Sequence, residues 1–560
     1  MSLSLISDDD ALPRGGPGRE ALNAYQSRIC FICGTDPLID DPLVDPAVSA
    51  WRGREGSECL RWRWLRGFGS MVGMFSRGWC ALVVLLMVLD STGRVRGATP
   101  AAVRPNILFL FADDQRADTI GAWGNAHIRT PHLDGLVGRG FSFRGNYCFG
   151  GNSGAVCVPS RAMLMSGRTW FGLPHTLQGV TTFPEHLRRQ GYETFATGKW
   201  HNGEASFLRS FERGRSIHFG GMDDHTRTAI QDLQADGKFT RRQPAPKFSS
   251  EQFADEVIGF LQRPGGGRPF LAYAAFTAPH DPRNPPEAWR VTDPNKRPPL
   301  PRNYLPQHPF DNGELILRDE NLLPWPRPPE WVRDQLGEYY GLIEHLDSQI
   351  GRVLDALAKS PYATNTVIVF AADHGLALGS HGLLGKQNVY EHSMRCPLII
   401  AGPGIPAGGT TAAFTYLFDV FPTLCGLTGL PVPPGVAGFD LRPLWTAEAR
   451  QVRDSVFLPY QGLMRAVRDE RWKLICYPPV NHRQLFDLAH DPDERVDVSG
   501  DPGNAPVIAQ LLAKMAEWQT RVGDTQPLTV PNPKPLMRDL TGQSRKPDDW
   551  QPRWIVEKYF

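Results

Sequence analysis

Asn106-Ile107-Leu108-Phe109-Leu110-Phe111-Ala112, running straight into Asp113-Asp114, decides the fold. The run shows no polar alternation, so it reads as a strand buried on both faces, as in the parallel sheets of α/β proteins. It ends on two adjacent acids. Their charges repel at the end of a buried strand unless a cation lies between them. A solvated loop or a helix N-cap is the alternative, since aspartate caps well. Carboxylates with no cysteine beside them point to a hard cation, Ca²⁺ or Mg²⁺.

Three later runs repeat the pattern. Tyr192-Glu193-Thr194-Phe195-Ala196-Thr197 leads into Gly198-Lys199-Trp200-His201, where a lysine and a histidine two apart would share one side of an extended segment. Phe270 to Phe276 delivers Ala278-Pro279-His280, and Thr366 to Ala371 ends in Asp373-His374-Gly375, with Gly385-Lys386 and His392 soon after. In open α/β sheets, ligands bind beyond the carboxyl ends of the strands. Four apolar strands that all end in Asp, His or Lys therefore predict an α/β fold with one large central sheet, mostly parallel, and one composite site assembled from residues far apart in the chain.

The segments between these strands fit that plan. Thr130 to Asp134 opens a short helix, Gly140 to Phe143 reads as a strand, and Phe183 to Arg189 reads as a helix. Glu330 to Leu357 has helical spacing, with Leu336, Tyr340, Ile343, Leu346, Ile350 and Leu354 as the buried stripe. Asn284 to Pro329 is rich in Pro, Asn and charge, and long for a structureless loop, so it is a candidate for substrate contacts. From about Leu444 the texture changes to short strand-like runs, 465–468, 472–477 and 484–488, which suggest a small antiparallel sheet, followed by an amphipathic helix over 507–522. The expected division is a main domain over 99–443 and a smaller α+β unit over 444–560.

Cys157-Val158-Pro159-Ser160-Arg161-Ala162-Met163-Leu164-Met165-Ser166-Gly167-Arg168 is the most specific stretch. Pro159 suits a first helical turn, so Cys157 falls at a helix N-terminus, where free N–H groups favour negative charge. Arg161, one turn on, would point to the same place. A buried thiol, or a disulfide to Cys148, is the plain alternative.

This stretch resembles the sulfatase signature, Cys-x-Pro-Ser-Arg followed by x-x-x-(Leu/Met)-x-Gly-Arg, and the resemblance extends over about 105–500 through the Asp pair, Gly-Lys-x-His, Pro-His, Asp-His-Gly and the later Gly-Lys. It implies an alkaline-phosphatase-like α/β domain with a smaller carboxyl-terminal sheet. It implies that Cys157 is oxidised to formylglycine by a formylglycine-generating or sulfatase-maturing enzyme, and that the aldehyde hydrate is the nucleophile. It implies one Ca²⁺ held by Asp113, Asp114, Asp373, His374 and the modified Cys157. Many members carry Asn rather than His after the second Asp, and imidazole is a softer ligand than Ca²⁺ usually takes; some members that act on sugar sulfates carry Asp-His. In the implied mechanism Arg161 and the ion activate the hydrate, Lys199 and Lys386 neutralise the sulfuryl oxygens, His280 with Lys386 protonates the departing alcohol, and His201 takes the proton that lets sulfate leave. The expected substrate is a sulfated small molecule or sugar, read by residues in 203–230 and 284–329, with Asp223, Asp224 and His225 as candidates. A phosphonate or phosphate ester hydrolase on the same scaffold is the rival, and a sugar-binding protein with a dead site is the rival from another class.

Composition sets the frame. A chain of 560 residues is too long for one ordinary core. A net charge of +1 gives no reason to expect nucleic acid or an anionic membrane as partner. Nine cysteines in this length do not make a disulfide scaffold, and Cys30-Phe31-Ile32-Cys33 lacks the second half that a metal site would need. Residues 71–98, with Arg77, the apolar run 81–89 and the exit Gly97-Ala98, read as a cleaved export signal too short to anchor in a bilayer. Residues 1–70 then read as an unstructured leader, or as sequence upstream of a true start at Met71 or Met74. The expected location is periplasmic or extracellular.

Overall fold

The computed structural model describes residues 104–264, 267–540 and 551–560, so the expectations for the leader, the export signal and the Cys30–Cys33 pair fall outside the described residues. The opening run is a strand, β1 (Asn106–Ala112), buried at every position. Ile107, Phe109 and Phe111 enter one apolar cluster, while Leu108, Leu110 and Ala112 enter another. Alternation along a strand sends side chains to opposite faces, so a strand with a core on each side must be apolar throughout.

With β2 (Gly140–Tyr147), β3 (Glu193–Lys199), β4 (Arg213–His218), β5 (Phe270–Ala275), β6 (Thr366–Ala372), β7 (Leu398–Ala401) and β8 (Gly409–Tyr416), β1 forms an eight-stranded sheet. The order is β8-β2-β7-β6-β1-β5-β3-β4. Every neighbouring pair is parallel except those made by β7, which runs antiparallel to β2 and β6. The four strands expected to end in chemistry are the consecutive neighbours β6, β1, β5 and β3, so their carboxyl ends lie side by side.

Helices cover both faces. On one side α1 (Pro131–Arg139), α4 (Ser249–Leu261) and α5 (Pro329–Ala358) pack against the cluster holding Leu108 and Leu110; on the other, α2 (Cys157–Ser166) and α3 (Phe183–Arg189) pack against that of Phe109. The α5 stripe holds with one correction: Tyr339 is fully buried, and Tyr340 is half-buried. Either position continues the spacing from Leu336 to Ile343. The hydroxyl decides, because the Tyr339 oxygen donates to Asp114 O at 2.6 Å and accepts from Arg116 N at 2.9 Å.

A second, antiparallel sheet follows in the order β9 (Val456–Tyr460), β10 (Met464–Arg468), β11 (Trp472–Tyr477) and β12 (His482–Asp487), with β9 the strand that sequence patterning passes over. The helix α6 (Ala505–Val522) packs on it through Leu511, Met515 and Trp518, in the cluster that also holds Phe149 and Tyr416 of the larger sheet region. Between the sheets, Arg453 is forked onto Asp419 at 2.6 and 2.8 Å, both side chains buried. Among the described residues no helix is long and apolar enough to cross a membrane.

That buried pair tests how firmly the second sheet is tied down. Arg453→Ala leaves the Asp419 carboxylate buried without its cation, and should cost about 3–5 kcal/mol of unfolding free energy in denaturant titration; a cost below about 1 kcal/mol would show that water reaches the gap.

Candidate active site

Four strand ends deliver the candidate residues to one place. Asp113 and Asp114 follow β1, Asp373 and His374 follow β6, Lys199 closes β3, His280 lies shortly beyond β5, and Cys157 is the first residue of α2. Two glycines make the close approach feasible. A Cβ on Gly198 would stand 1.9 Å from Ala275 O, and one on Gly375 would stand 2.0 Å from His392 O. The Gly before Lys199 and the Gly after His374 are therefore steric requirements of the site's own backbone. Asp114 itself is held in the left-handed region at φ 67°, with its N–H donating to Asp373 Oδ1 at 2.9 Å.

Asp113, Asp114 and Asp373 are all completely buried. Three buried cations face them. Lys199 Nζ lies 2.5 Å from Asp113 Oδ2, and Lys386 Nζ lies 2.7 and 2.6 Å from the two oxygens of Asp114. Arg161 stands between Asp113 and Asp373 at 3.4 and 3.6 Å, stacked over Phe111 and donating to Lys199 O at 3.0 Å. Burial alone would raise all three carboxyl pKa values, but these partners outweigh it and hold them below the usual range: Lys199 then Arg161 for Asp113, Lys386 then His280 for Asp114, and His374 then Arg161 for Asp373. The Lys386 ammonium is likewise held well above its usual value, because the Asp114 carboxylate beside it outweighs burial.

Cys157 faces this cluster. Its Sγ is 3.3 Å from Asp113 Oδ1, 3.8 Å from Asp114 Oδ1 and 3.2 Å from Lys386 Nζ. Burial, then Asp113, push its thiol pKa well up, so the unmodified residue is a neutral thiol and a weak nucleophile. Cys148 and Cys157 are both free, so the disulfide alternative does not hold.

The donor set fits a cation. One ligand atom each from Asp114, Cys157, Asp373 and His374 lie within 4.8 Å of one another, and so do those of the overlapping set Asp113, Asp114, Cys157 and His280. Buried Asp373 Oδ2, Arg161 Nε and Arg161 Nη2 have no hydrogen-bond partner. Asp373 Oδ2 meets only the Arg161 guanidinium, at 3.6 Å, so it keeps lone pairs that a cation could take, while the Arg161 N–H groups suit an anion. His374 takes part through Nδ1, at 3.2 Å from Asp114 Oδ1 and 3.4 Å from Asp373 Oδ1.

The histidines divide. His280 presents Nε2 to Asp114 Oδ2 at 3.6 Å. His201 does not continue an extended segment past Lys199; at φ 65° it turns the chain, and its buried Nδ1 lacks a partner. Burial, then Lys199 and Arg161, press its pKa well down, so it is a free base. His392 lies off the site, bonded ring to ring with His381 at 3.2 Å.

The candidate sugar readers all make hydrogen bonds within the fold. His225 bonds Ser249 and Thr277 through Nδ1 and the His280 carbonyl through Nε2, while Asp223 and Asp224 accept from amides and a hydroxyl of their own loop, with Asn284 donating to Asp224. Several contributors escape the sequence reading: Tyr339, Gln387, and the pair Asp281–Arg318 behind His280. Asp281 stood next to His280 in the chain; nothing local marks Arg318, whose spacing to its partner is set by the long loop.

The family model described as Sulfatase matches residues 105–430, and that described as N-sulphoglucosamine sulphohydrolase, C-terminal, matches 379–521. The chain is 28% identical over 464 residues to a choline-sulfatase of Rhizobium meliloti, covering 75% of this chain and 88% of that protein. It is 25% identical over 500 residues to an N-acetylglucosamine-6-O-sulfatase of Bacteroides thetaiotaomicron, covering 76% and 88%. A solved structure in complex with its substrate D-glucosamine-2-N,6-O-disulfate shares the fold at a TM-score of 0.65, with 23% identity over 76% of this chain and 99% of that one.

Tyr339→Phe isolates one contribution to the site. It leaves Asp114 O and Arg116 N without their buried partner, and should lower stability by about 1–3 kcal/mol. Equal unfolding midpoints for the two proteins would show that both groups find other partners.

Proposed function

This chain belongs to the sulfatase family and is a sulfuric ester hydrolase, and on that premise we propose that it cleaves the sulfate ester of a carbohydrate, using Ca²⁺ and a formylglycine at position 157. The observation that carries the reading is the meeting of ligand atoms from Asp114, Cys157, Asp373 and His374 within 4.8 Å, beside three buried cations. Two carboxylates and an imidazole, with oxygen in place of sulfur at a modified residue 157, suit a hard cation better than a thiophilic one. The carbohydrate part is supported by the hexosamine sulfatase among the relatives and by Asp-His at the metal position; the choline-sulfatase makes a small alkyl sulfate the competing substrate.

Asp113, Asp114, Asp373 and His374 would hold the metal, which would supply Lewis-acid stabilisation of anionic oxygens. A formylglycine would supply a hydrate with one hydroxyl to attack sulfur and a second whose ionisation releases sulfate. The chain's own groups do the rest. Arg161 braces Asp113 against Asp373 and keeps the carboxylates ionised. Lys199 and Lys386 bring positive charge to the oxygens of the transferring group, as basic clamps do in phosphoryl transfer. His280 gives a proton from Nε2 to the departing ester oxygen, and His201, a free base, accepts the proton that frees the product. The surrounding burial keeps bulk water from competing.

Intact mass across the peptide containing residue 157 should fall by about 18 Da relative to cysteine when the protein is made with a maturing enzyme; an unchanged cysteine in active protein would overturn the modification. Cys157→Ala should lower kcat on p-nitrophenyl sulfate by about 10³-fold or more, and the wild type should prefer that ester to p-nitrophenyl phosphate and to phosphonate esters, the reverse order selecting the rival activity.

Calcium at about 100 times its Kd should raise unfolding free energy by about 2.7 kcal/mol. Asp373→Asn should abolish that gain, and a gain that survives would place the ion elsewhere. We further propose that residues 71–98 direct export; a mature amino terminus before Met71 would contradict it.

A further inference from the structure

His280 is held from behind. Its Nδ1 lies 2.9 Å from the backbone oxygen of Asp281 and 3.3 Å from the Asp281 carboxylate oxygen Oδ1. That leaves Nε2 as the nitrogen turned toward Asp114 and the site. The Asp281 side chain is buried, and both its oxygens are taken by the guanidinium of Arg318: Nη1 reaches Oδ1 at 2.9 Å and Nη2 bonds Oδ2. Arg318 also reaches Asp319 Oδ1 at 3.0 Å. Asp319 Oδ2 accepts from Gln387 Nε2 at 2.8 Å. Gln387 in turn donates to Gly154 O at 2.8 Å and accepts from the Lys386 amide at 2.9 Å. One turn of the long 284–329 segment thus links three separate loops, those carrying His280, Lys386 and Cys157.

We infer that Asp281 and Arg318 are a positioning pair for His280, and through it set how fast poor leaving groups depart. A bidentate carboxylate–guanidinium fork fixes the carboxylate in plane and direction as a single ion pair does not. The imidazole Nδ1–H has its acceptor in the Asp281 backbone oxygen, and the fork holds the Asp281 carboxylate beside the same nitrogen, so Nε2 is aimed without rotamer search. In the reaction the Nε2 proton passes to the ester oxygen as the S–O bond breaks, leaving a neutral ring still donating from Nδ1. Neither Asp281 nor Arg318 need touch the sulfuryl group. The inference rests on the reading of His280 as proton donor, and extends it to two residues outside the cluster of metal and sulfuryl contacts.

Leaving-group dependence tests it, because a phenolate departs with little help and an alkoxide does not. Asp281→Asn and Arg318→Gln should each lower kcat by about 10- to 100-fold on an unactivated alkyl sulfate, N-acetylglucosamine 6-sulfate or choline sulfate, and by less than about 3-fold on p-nitrophenyl sulfate, with KM for both within about 3-fold. The double variant should be no worse than the weaker single variant, because both changes break the same unit. Arg318→Lys, which keeps charge but not the fork, should recover part of the loss. Unfolding midpoints near wild type confirm that the fold is kept, and Arg318→Lys serves if Asp281→Asn fails to fold. Equal losses on alkyl and aryl esters, additive losses, no loss, or a wild type confined to aryl esters would each overturn the pair's role. Failure on sugar sulfates alone, with choline sulfate turned over, would reject the carbohydrate reading and leave this comparison decided.

Discussion

Three aspartates with no solvent exposure, gathered at the ends of two adjacent strands, are the constraint on which the rest of the site depends. Carboxylates so placed repel one another and lose their hydration, so each needs a cation or must give up its charge. Lys199, Lys386 and Arg161 meet that need from three directions, each drawn from a different element. A divalent ion added to this balance leaves the pocket net positive, which suits a sulfate ester and the negative charge that develops as it is cleaved. The same groups that make the acids tolerable in the folded state make the pocket receptive to an anion.

The sheet order follows from this requirement. The Asp114 N–H can donate to the Asp373 carboxylate because β1 and β6 pair in parallel along their whole length and end in register at Ala112 and Ala372. β5 and β3 complete the arc, bringing His280 and Lys199 in on the other side of β1. The last step of β3 passes so close to Ala275 that only glycine fits at 198, and Lys199 then reaches Asp113. Backbone crowding here fixes the direction of a charge.

Much of this was legible from residue patterns, for a physical reason. A strand buried on both faces is apolar almost throughout, so its end is marked by charge, and β1, β5 and β6 are legible that way; β3, with Glu193, Thr194 and Thr197, is marked chiefly by the Gly-Lys that closes it. Their adjacency was not legible, since no residue records which strand lies beside which. Tyr339 and Tyr340 fit the helical period equally, and only a hydroxyl partner 225 positions away separates them. His201 was placed by an alternation that ends with β3 at Lys199, two residues before the backbone turns left-handed at His201 itself. His225, a candidate in a segment that reads equally as a solvated loop, is buried and makes three hydrogen bonds within the fold. Arg318 sits in a loop without period, and its partner was invisible until the chain closed.

The site therefore has two halves built to different standards. The half that would hold the metal stands on strand ends and the first turn of α2, with Lys386 reaching in from the loop after β6. The other half is carried outside the sheet: His280 beyond β5, and Arg318 and Asp319 from the single turn Arg318–Leu322 of a long segment. Binding residues on loops held by a rigid scaffold can change without disturbing the scaffold. Relatives acting on alcohols as different as choline and a hexosamine share the family with this chain. That spread is what such a division permits: groups on strand ends are fixed by pairing on both sides, while groups carried by loops can change without disturbing them.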